Sequence, residues 1–314
     1  MQAFELTILN WIQAHLRCGV LDAVMVPVSR ICDHGEVWIL LAAILLAIPK
    51  TRKLGTCVAC GLALDLLFCN LALKPLIGRV RPFAVNPTVS LLIPPPVDAS
   101  FPSGHTQNIV GTTASLFACR KEKWVRIVCA VLMVLVPFSR MYLGVHTPLD
   151  VGVSFVVAAA LVMLVYPLME EADRRPAVLT RTIAVMVVCS GLFVGYLYLR
   201  GDTGATAEDT ANYVSALENA WKLTGATLGM LIANIADRKY IRFETQAVWW
   251  AQLIKLAVGF GLLLAIRAGL KAPLIALLGG SAAIAGGVRY LLVVLFAGCV
   301  WPLTFWWFGR LGRR

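Results

Sequence analysis

The chain has 314 residues, of which 59% are hydrophobic and only 14% are charged. A soluble domain carries about 25% charged residues, so this composition excludes an ordinary soluble enzyme and favours a multi-pass membrane protein. The net charge of +11 is gathered in alternate loops, which indicates topology signals and contact with anionic lipid head groups rather than nucleic-acid binding.

The first 17 residues predict a helix that lies in the membrane interface. Apolar residues recur there at helical spacing and leave a polar face. They are Phe4, Leu6, Leu9, Trp11, Ile12 and Leu16. The segment lacks the pattern of a cleavable signal peptide. A short apolar piece, Leu21 to Ile31, follows, and the topology inferred below changes if it also crosses the membrane.

Long apolar segments then predict membrane spans. They run over residues 35–50, 54–77, 104–119, 124–142, 148–168, 178–199, 213–237, 245–267 and 288–308. A Gly- and Ala-rich stretch, 272–286, is interpreted as a short extra helix or a re-entrant piece. The expected fold class is therefore all-α, a polytopic transmembrane helical bundle. Because every motif described below precedes residue 170, we expect a catalytic core over 1–170 and a C-terminal transmembrane extension of unknown role over 171–314.

Basic residues predict the orientation of these spans. With the spans above, five basic clusters fall on one side, which the positive-inside rule makes cytoplasmic. They are Lys50, Arg52 and Lys53; Arg120, Lys121, Lys123 and Arg126; Arg174, Arg175 and Arg181; Arg238, Lys239 and Arg242; and Arg310, Arg313 and Arg314. The segments that carry the motifs fall on the other side. The sequence therefore predicts a protein of the cell membrane whose active site faces away from the cytoplasm.

Three short stretches at the ends of spans carry many charged groups for so hydrophobic a chain. The first is Lys74-Pro75-Leu76-Ile77-Gly78-Arg79-Val80-Arg81-Pro82, the second is Pro102-Ser103-Gly104-His105, and the third is Ser139-Arg140 followed by His146 and Asp150. Hydrolysis of a phosphate ester needs neutralised equatorial oxygens, an in-line nucleophile and a proton for the leaving group. Together the three stretches supply side chains for each of these tasks.

The residue types suggest a role for each side chain. Lys74, Arg81 and Arg140 can neutralise phosphate oxygens, the arginines through a bidentate fork. Backbone N–H groups near Ser103 and Gly104, at the start of a helix, offer an anion cradle. One histidine must be neutral to attack and the other protonated to donate. Because Asp150 follows four residues after His146 and can orient its ring, we predict His146 as the nucleophile and His105 as the acid.

The three stretches closely resemble the type 2 phosphatidic acid phosphatase (PAP2) family, lipid phosphatases that share their site with vanadium haloperoxidases. The family pattern, Lys-x6-Arg-Pro, Pro-Ser-Gly-His and Ser-Arg-x5-His-x3-Asp, is matched at every position. The resemblance implies a helical bundle with a metal-independent site, no cofactor, and a phosphohistidine intermediate. It also implies that His146, Asp150 and His105 are catalytic. The phosphate-binding residues it implies are Lys74, Arg81, Ser103, Gly104 and Arg140.

A site at the membrane border favours a phosphorylated lipid as substrate. Isoprenyl diphosphate, phosphatidylglycerol phosphate and phosphatidate all remain open, as does homo-oligomerisation. The apolar, stiff segment Ala84–Ser100 is expected to lie over the site and contact the lipid chain. Two alternatives also stay open: transfer of the phosphate to another lipid or sugar, and a lipid translocator or partner-binding protein that carries a phosphatase core. Arg79 is either a further phosphate ligand or a solvated arginine at the interface.

Overall fold

A computed structural model of the protein describes residues 2–32, 41, 44–45, 51–65, 73–96, 98–202, 204 and 206–311. All the regular structure in these residues is helical, so the predicted all-α fold class is confirmed. Contacts divide the chain into two compact units: the described residues of Met1–Trp38 and Cys57–Tyr166, and those of Ile39–Thr56 and Pro167–Arg314. The predicted division at residue 170 falls inside a helix, Pro148–Arg174, and stays a prediction.

Within the described residues, five helices are long and apolar enough to cross a membrane, and each overlaps a predicted span. They are Lys123–Tyr142, Pro148–Arg174, Ala177–Arg200, Trp249–Leu277 and Ala282–Arg310. Two other predicted spans, 104–119 and 213–237, coincide with the helices Gly104–Cys119 and Ala207–Ala236, which are not among the five. Most of the predicted span 35–50 and the middle of 54–77 lie outside the described residues.

Physical reasons explain why these two helices are not among the five. The 16 residues of Gly104–Cys119 extend about 24 Å, which is shorter than a hydrocarbon core of about 30 Å. In Ala207–Ala236 the polar residues Glu218, Lys222 and Asn234 dilute the apolar character. Whether either helix crosses the membrane therefore stays a prediction.

Eight labelled helices lie wholly or partly in the first unit; the third begins and the eighth ends in residues of the second. They are α1 Gln2–Leu16, α2 Gly19–Arg30, α3 Arg52–Asp65, α4 Lys74–Ile77, α5 Pro82–Val85, α6 Gly104–Cys119, α7 Lys123–Tyr142 and α8 Pro148–Arg174. Helix α7 packs against α6, α2 and α1. A core cluster joins Ile12 of α1 and Met25 of α2 to Tyr142, the last residue of α7, and to Leu143 and Val145, which follow it. The two N-terminal helices therefore pack directly behind the third motif.

Helix α1 shows that a polar residue on an amphipathic helix can be internal. Its Leu9 and Ile12 are buried, as an amphipathic pattern predicts. Glu5, however, is also buried, with only 4% of the residue exposed, although its type alone placed it on the polar face. The reason is an ion pair with Arg79, described below, which compensates for removing both charges from water.

The second unit contains α9 Ala177–Arg200, α10 Ala207–Ala236, α11 Trp249–Gly269, α12 Lys271–Leu277, α13 Ala282–Leu295 and α14 Phe305–Arg310. Its tightest packing is between α10 and α13. A Cβ atom added at Gly225 would lie 1.9 Å from the carbonyl oxygen of Gly287. Only glycines allow two helix backbones to approach so closely, which is a common packing device between helices in membranes.

Candidate active site

Two glycines shape the turns that carry the first and third motifs. Gly78 ends α4 with a φ of 55°, and Gly144 follows α7 with a φ of 74°. Both angles lie in the left-handed region that glycine adopts without steric cost. A Cβ at Gly144 would also lie 2.6 Å from Cγ1 of Val89. This turn therefore needs glycine to bring the chain from Arg140 in α7 to His146.

The second motif forms the N-terminus of α6. The Ser103 hydroxyl accepts a hydrogen bond from the Thr106 amide at 3.4 Å, which satisfies one of the free N–H groups of the first turn. The Ser103 amide donates to the Ser154 hydroxyl at 2.7 Å. Ser103 is fully buried. Its hydroxyl caps α6, and its amide connects the start of α6 to α8 through Ser154. Gly104 and His105 come next, on the first turn of α6.

The three motifs meet at one cavity of about 320 Å³. Its lining combines cations, two histidines and a carboxylate with a few apolar side chains. The lining residues are Arg30, Lys74, Arg81, Ile93, Pro94, Pro96, Asp98, Gly104, His105, Arg140 and His146. All of them belong to the first unit. The cavity thus has the strongly cationic character that binding of a phosphoryl group requires.

Arg81 links the cations of the cavity to His146. Its Nη1 donates to the carbonyl of Val145 at 2.9 Å and lies 3.4 Å from Nε2 of His146. Its Nη2 lies 2.6 Å from Oδ1 of Asp98, and Lys74 pairs with Oδ2 of the same carboxylate. Burial alone would raise the pKa of Asp98, but Lys74 and Arg81 hold the pKa of this loop residue well below its usual range. Asp98 is therefore an anion that is paired with two of the cations predicted to bind phosphate.

The ring of His146 is held in the state that a nucleophile needs. A guanidinium group has only N–H donors, so Nε2 beside Arg81 accepts and the ring proton lies on Nδ1. That nitrogen lies 3.7 Å from Oδ2 of Asp150, a distance longer than a hydrogen bond. Burial lowers the pKa of His146, and the nearby positive charges of Arg81 and Arg140 lower it further against the effect of Asp150. The imidazole is therefore neutral at pH 7.

Asp150 is fixed by three donors besides its approach to His146. Its Oδ2 accepts from the Ser100 hydroxyl at 2.6 Å and from the Thr147 amide at 2.8 Å. Its Oδ1 accepts from Nη1 of Arg79 at 2.9 Å. Arg79 in turn pairs with Glu5 through Nη2. The carboxylate that faces His146 is thus the middle of a buried network that extends to α1.

Comparisons with known proteins agree with this geometry. The model of the PAP2 superfamily matches residues 54–174, and that of the PAP2 superfamily phosphatase transmembrane extension matches residues 221–314. The undecaprenyl-diphosphatase of Sulfolobus acidocaldarius is 39% identical over 42% of this chain and 63% of its own length, a little under two thirds. The undecaprenyl-diphosphatase BcrC of Bacillus subtilis is 36% identical over 45% of this chain and 70% of its own length.

The chain belongs to the PAP2 superfamily. The predicted family, a family of phosphatases, is therefore confirmed. A solved structure, a transmembrane PAP2-type phosphatidylglycerolphosphate phosphatase from Bacillus subtilis, is 27% identical and covers 55% of this chain and 88% of its own, with a TM-score of 0.47.

The structure brings most of the predicted PAP2 site residues to the cavity. Lys74, Arg81, Gly104, His105, Arg140 and His146 line it. Asp150 lies behind His146, where it was expected. Ser103 does not line the cavity, since its hydroxyl and its amide are both used inside the fold. The catalytic and phosphate-binding roles of these residues stay predictions, and so does the cofactor-free chemistry; the described residues contain no group of three His, Cys, Asp or Glu side chains that could hold a metal ion.

Several residues of the site were not found by sequence reasoning. Asp98 and Arg30 line the cavity, while Ser100, Thr147 and Glu5 complete the network around Asp150. Arg79, for which two roles were open, is neither a cavity-lining phosphate ligand nor a solvated arginine, because it binds Asp150 and Glu5. The only sequence signal for this pairing was a lone carboxylate, Glu5, in an otherwise mostly apolar helix.

Proposed function

We propose that this protein hydrolyses a phosphorylated membrane lipid through a phosphohistidine intermediate on His146. The observation that carries the proposal is the position of Nε2 of His146, which lies 3.4 Å from Arg81 in the cavity that His105 and the lysine and arginine side chains of the motifs line. A phosphoryl group bound by Lys74, Arg81 and Arg140 would present its phosphorus to that lone pair. Electrostatic stabilisation of the equatorial oxygens then supplies most of the catalysis.

The proposed reaction has two steps. Nε2 of His146 attacks phosphorus, the bond to the leaving oxygen breaks, and His105 donates a proton to that oxygen. Asp150 stabilises the positive charge that develops on the ring, whose proton stays on Nδ1. Water then attacks the phosphohistidine, His105 takes its proton, and inorganic phosphate leaves. Each step needs only residues that lie at this cavity.

We propose an isoprenyl diphosphate as the substrate, ahead of phosphatidylglycerol phosphate and phosphatidate. Two similar proteins carry the name undecaprenyl-diphosphatase, which supports this choice. The apolar residues Ile93, Pro94 and Pro96 line the cavity beside the cations, and they support a substrate that has a hydrocarbon chain next to its phosphate. They come from the segment that was expected to lie over the site.

The test is a panel of phosphorylated lipids, assayed with the purified protein in detergent without any acceptor other than water. We expect release of inorganic phosphate, and we expect His146→Ala to lose at least about 10³-fold on every substrate, as nucleophile removal does elsewhere. Wild-type turnover that requires an added lipid or sugar acceptor would indicate transfer instead of hydrolysis. A His146→Ala variant that keeps substantial turnover would refute the nucleophile assignment.

We also propose that the cavity opens on the extracytoplasmic side of the cell membrane. The five basic clusters support this orientation through the positive-inside rule. In sealed right-side-out vesicles, a water-soluble phosphorylated substrate that cannot cross the membrane should be hydrolysed without permeabilisation. Hydrolysis that begins only after permeabilisation would place the site on the cytoplasmic side.

A further inference from the structure

Arg30 is a cation of the cavity that belongs to none of the three motifs. It is the last residue of α2, its side chain is exposed, and it lines the cavity. The other three cations of the lining are engaged: Lys74 and Arg81 with Asp98, and Arg140 with the hydroxyl of Ser29. Arg30 forms no hydrogen bond or ion pair with the part of the chain that the structure describes. It is therefore available to an anion that enters the cavity.

Helix α2 is held firmly beside the site. Nη1 of Arg140 donates to the hydroxyl of Ser29, which is 1% exposed. The Tyr142 hydroxyl donates to Oδ1 of Asp22 at 2.6 Å. Met25 packs in the core cluster with Tyr142. Because Arg30 directly follows Ser29, its backbone is held next to a contact with Arg140, which also lines the cavity.

Arg30 adds a fourth lysine or arginine to the cavity lining, beyond the three that the motifs supply. Once an entering head group displaces Asp98, Lys74, Arg81 and Arg140 offer three cations to the phosphoryl group at His146. A phosphomonoester carries about −1.5 to −2 charges at pH 7, which these cations meet. On departure of a monoester's leaving group, an alcohol with an apolar chain remains, and a further guanidinium would have no anion to bind. A diphosphate places a second phosphoryl group between the attacked phosphorus and the apolar chain.

Resting on the proposed function, we propose that Arg30 binds the second phosphoryl group of a lipid diphosphate and makes the site selective for diphosphates over monophosphates. In the reaction, Nε2 of His146 forms a bond to the terminal phosphorus, and the bond from that phosphorus to the bridging oxygen breaks. The electron pair stays with the bridging oxygen, so a lipid monophosphate leaves. Arg30 neutralises the charge that develops on this leaving group, and water later releases inorganic phosphate from His146.

The deciding experiment compares farnesyl diphosphate with farnesyl monophosphate, because the two lipids share one hydrocarbon tail. In the full-length protein in detergent, Arg30→Ala should lower kcat/KM for the diphosphate by about 10- to 100-fold, the value of one hydrogen-bonded charge contact. The monophosphate should change by no more than about twofold. Arg30→Lys should keep much of the preference, and Arg30→Gln should lose it. Lys121→Ala, which removes an exposed cation outside the cavity lining, is the matched control and should change neither substrate.

Inhibition provides a second readout that needs no lipid. Inorganic diphosphate should inhibit Arg30→Ala more weakly than the wild type, while inhibition by inorganic phosphate should be unchanged. Equal losses on both lipids in Arg30→Ala and Arg30→Gln, or no loss on either, would overturn the inference and leave the proposed function standing. A wild-type protein that hydrolyses neither farnesyl lipid would overturn the proposed isoprenyl diphosphate substrate and this inference with it, while turnover of another lipid in the panel would keep the proposed hydrolysis. If Arg30→Ala fails to fold, the Arg30→Gln and Arg30→Lys pair decides between the outcomes.

Discussion

The two units of the molecule bury polar groups in opposite ways. In the first unit, Arg81, Arg140, His146 and Asp150 are all nearly inaccessible and gather at or behind one cavity. In the second unit, by contrast, a buried lysine has its own interaction partners and, within the described residues, is not part of a cluster of charged side chains at a cavity. Lys255 donates to the carbonyl of Thr245 at 2.9 Å and lies 4.3 Å from the centre of the Phe305 ring. A charged group in a membrane protein is thus a poor guide to function unless several converge on one space.

In the second unit, close backbone contacts between helices hold the structure together instead. Gly225 of α10 and Gly287 of α13 meet so closely that neither can carry a side chain without displacement. Such packing supplies dispersion contacts without polar groups. From this comparison we propose that the first unit carries out the chemistry and that the second unit contributes helix packing. Three substitutions and one pH series test this proposal.

Asp150→Asn should give the largest effect, because it removes the charge that faces His146. We expect kcat to fall by about 10²- to 10⁴-fold, as when the carboxylate partner of a catalytic histidine is replaced in other enzymes. Phosphate release from the purified variant is the measurement. Ser154→Ala, a change at a buried hydroxyl that binds the Ser103 amide and the Asp150 carbonyl, is the control. Equal losses in both variants would mean that Asp150 acts through packing alone.

Gly225→Leu should affect the second unit and spare the chemistry. Overpacking at a site where the nearest atom is backbone costs about 1–3 kcal/mol or more, so the temperature of unfolding in detergent should fall by several degrees. The turnover of the protein that remains folded should stay near that of the wild type. Gly261→Leu, where no atom lies within 4 Å of an added Cβ, should change the unfolding temperature little. Loss of turnover in folded Gly225→Leu would contradict the separation of roles.

Glu5→Gln tests how far the catalytic network extends. Glu5 pairs with Arg79, which holds Oδ1 of Asp150. Residues that orient a catalytic group through a second contact typically contribute about 10- to 100-fold to activity, and we expect the lower end of that range, as a fall in kcat with KM unchanged. Thr7→Val on the same helix, at an exposed position, should have no effect. A rise in KM alone would show that α1 serves substrate binding instead.

A pH series should give the smallest effect. The pKa of buried His146 lies below its ordinary value, whereas the unfolded chain titrates near about 6.5. As the pH falls below that value, the unfolded chain binds a proton that the folded chain does not, so stability decreases by at most about 1.4 kcal/mol per pH unit. The unfolding temperature of the wild type should therefore drop between pH 7 and 5 more steeply than that of His146→Gln. Parallel curves would show that His146 is not held neutral by burial.

Sequence reasoning predicted those parts of the site in which the residues are only a few positions apart along the chain. His146 and Asp150 are four residues apart, and Lys74 and Arg81 lie on one short turn-containing segment, so their meeting follows from local geometry. Glu5, Arg30 and Asp98 could not be predicted in this way. They reach the site through tertiary packing of the N-terminal helices and a loop, and no spacing relates them to the motifs. The buried ion pair of Glu5 also inverts the rule that a carboxylate marks the solvent-facing side of a helix.

Prediction of the fold from the sequence was limited in the same way. Long hydrophobic stretches such as Pro148–Arg174 were predictable because apolar length alone determines a membrane helix. The close approach of α10 and α13 was not, because a glycine-rich pattern predicts that some helices will touch but does not say which partner each one meets. Only the structure places Gly287 against Gly225.

The carboxylate of Asp98 has a consequence for turnover. Two of the cations that line the cavity, Lys74 and Arg81, are already paired with this resident anion. Under the proposed function, an arriving head group displaces that anion, and Asp98 returns to the cations when inorganic phosphate departs. This competition weakens the binding of the product and so helps to free the site for the next lipid.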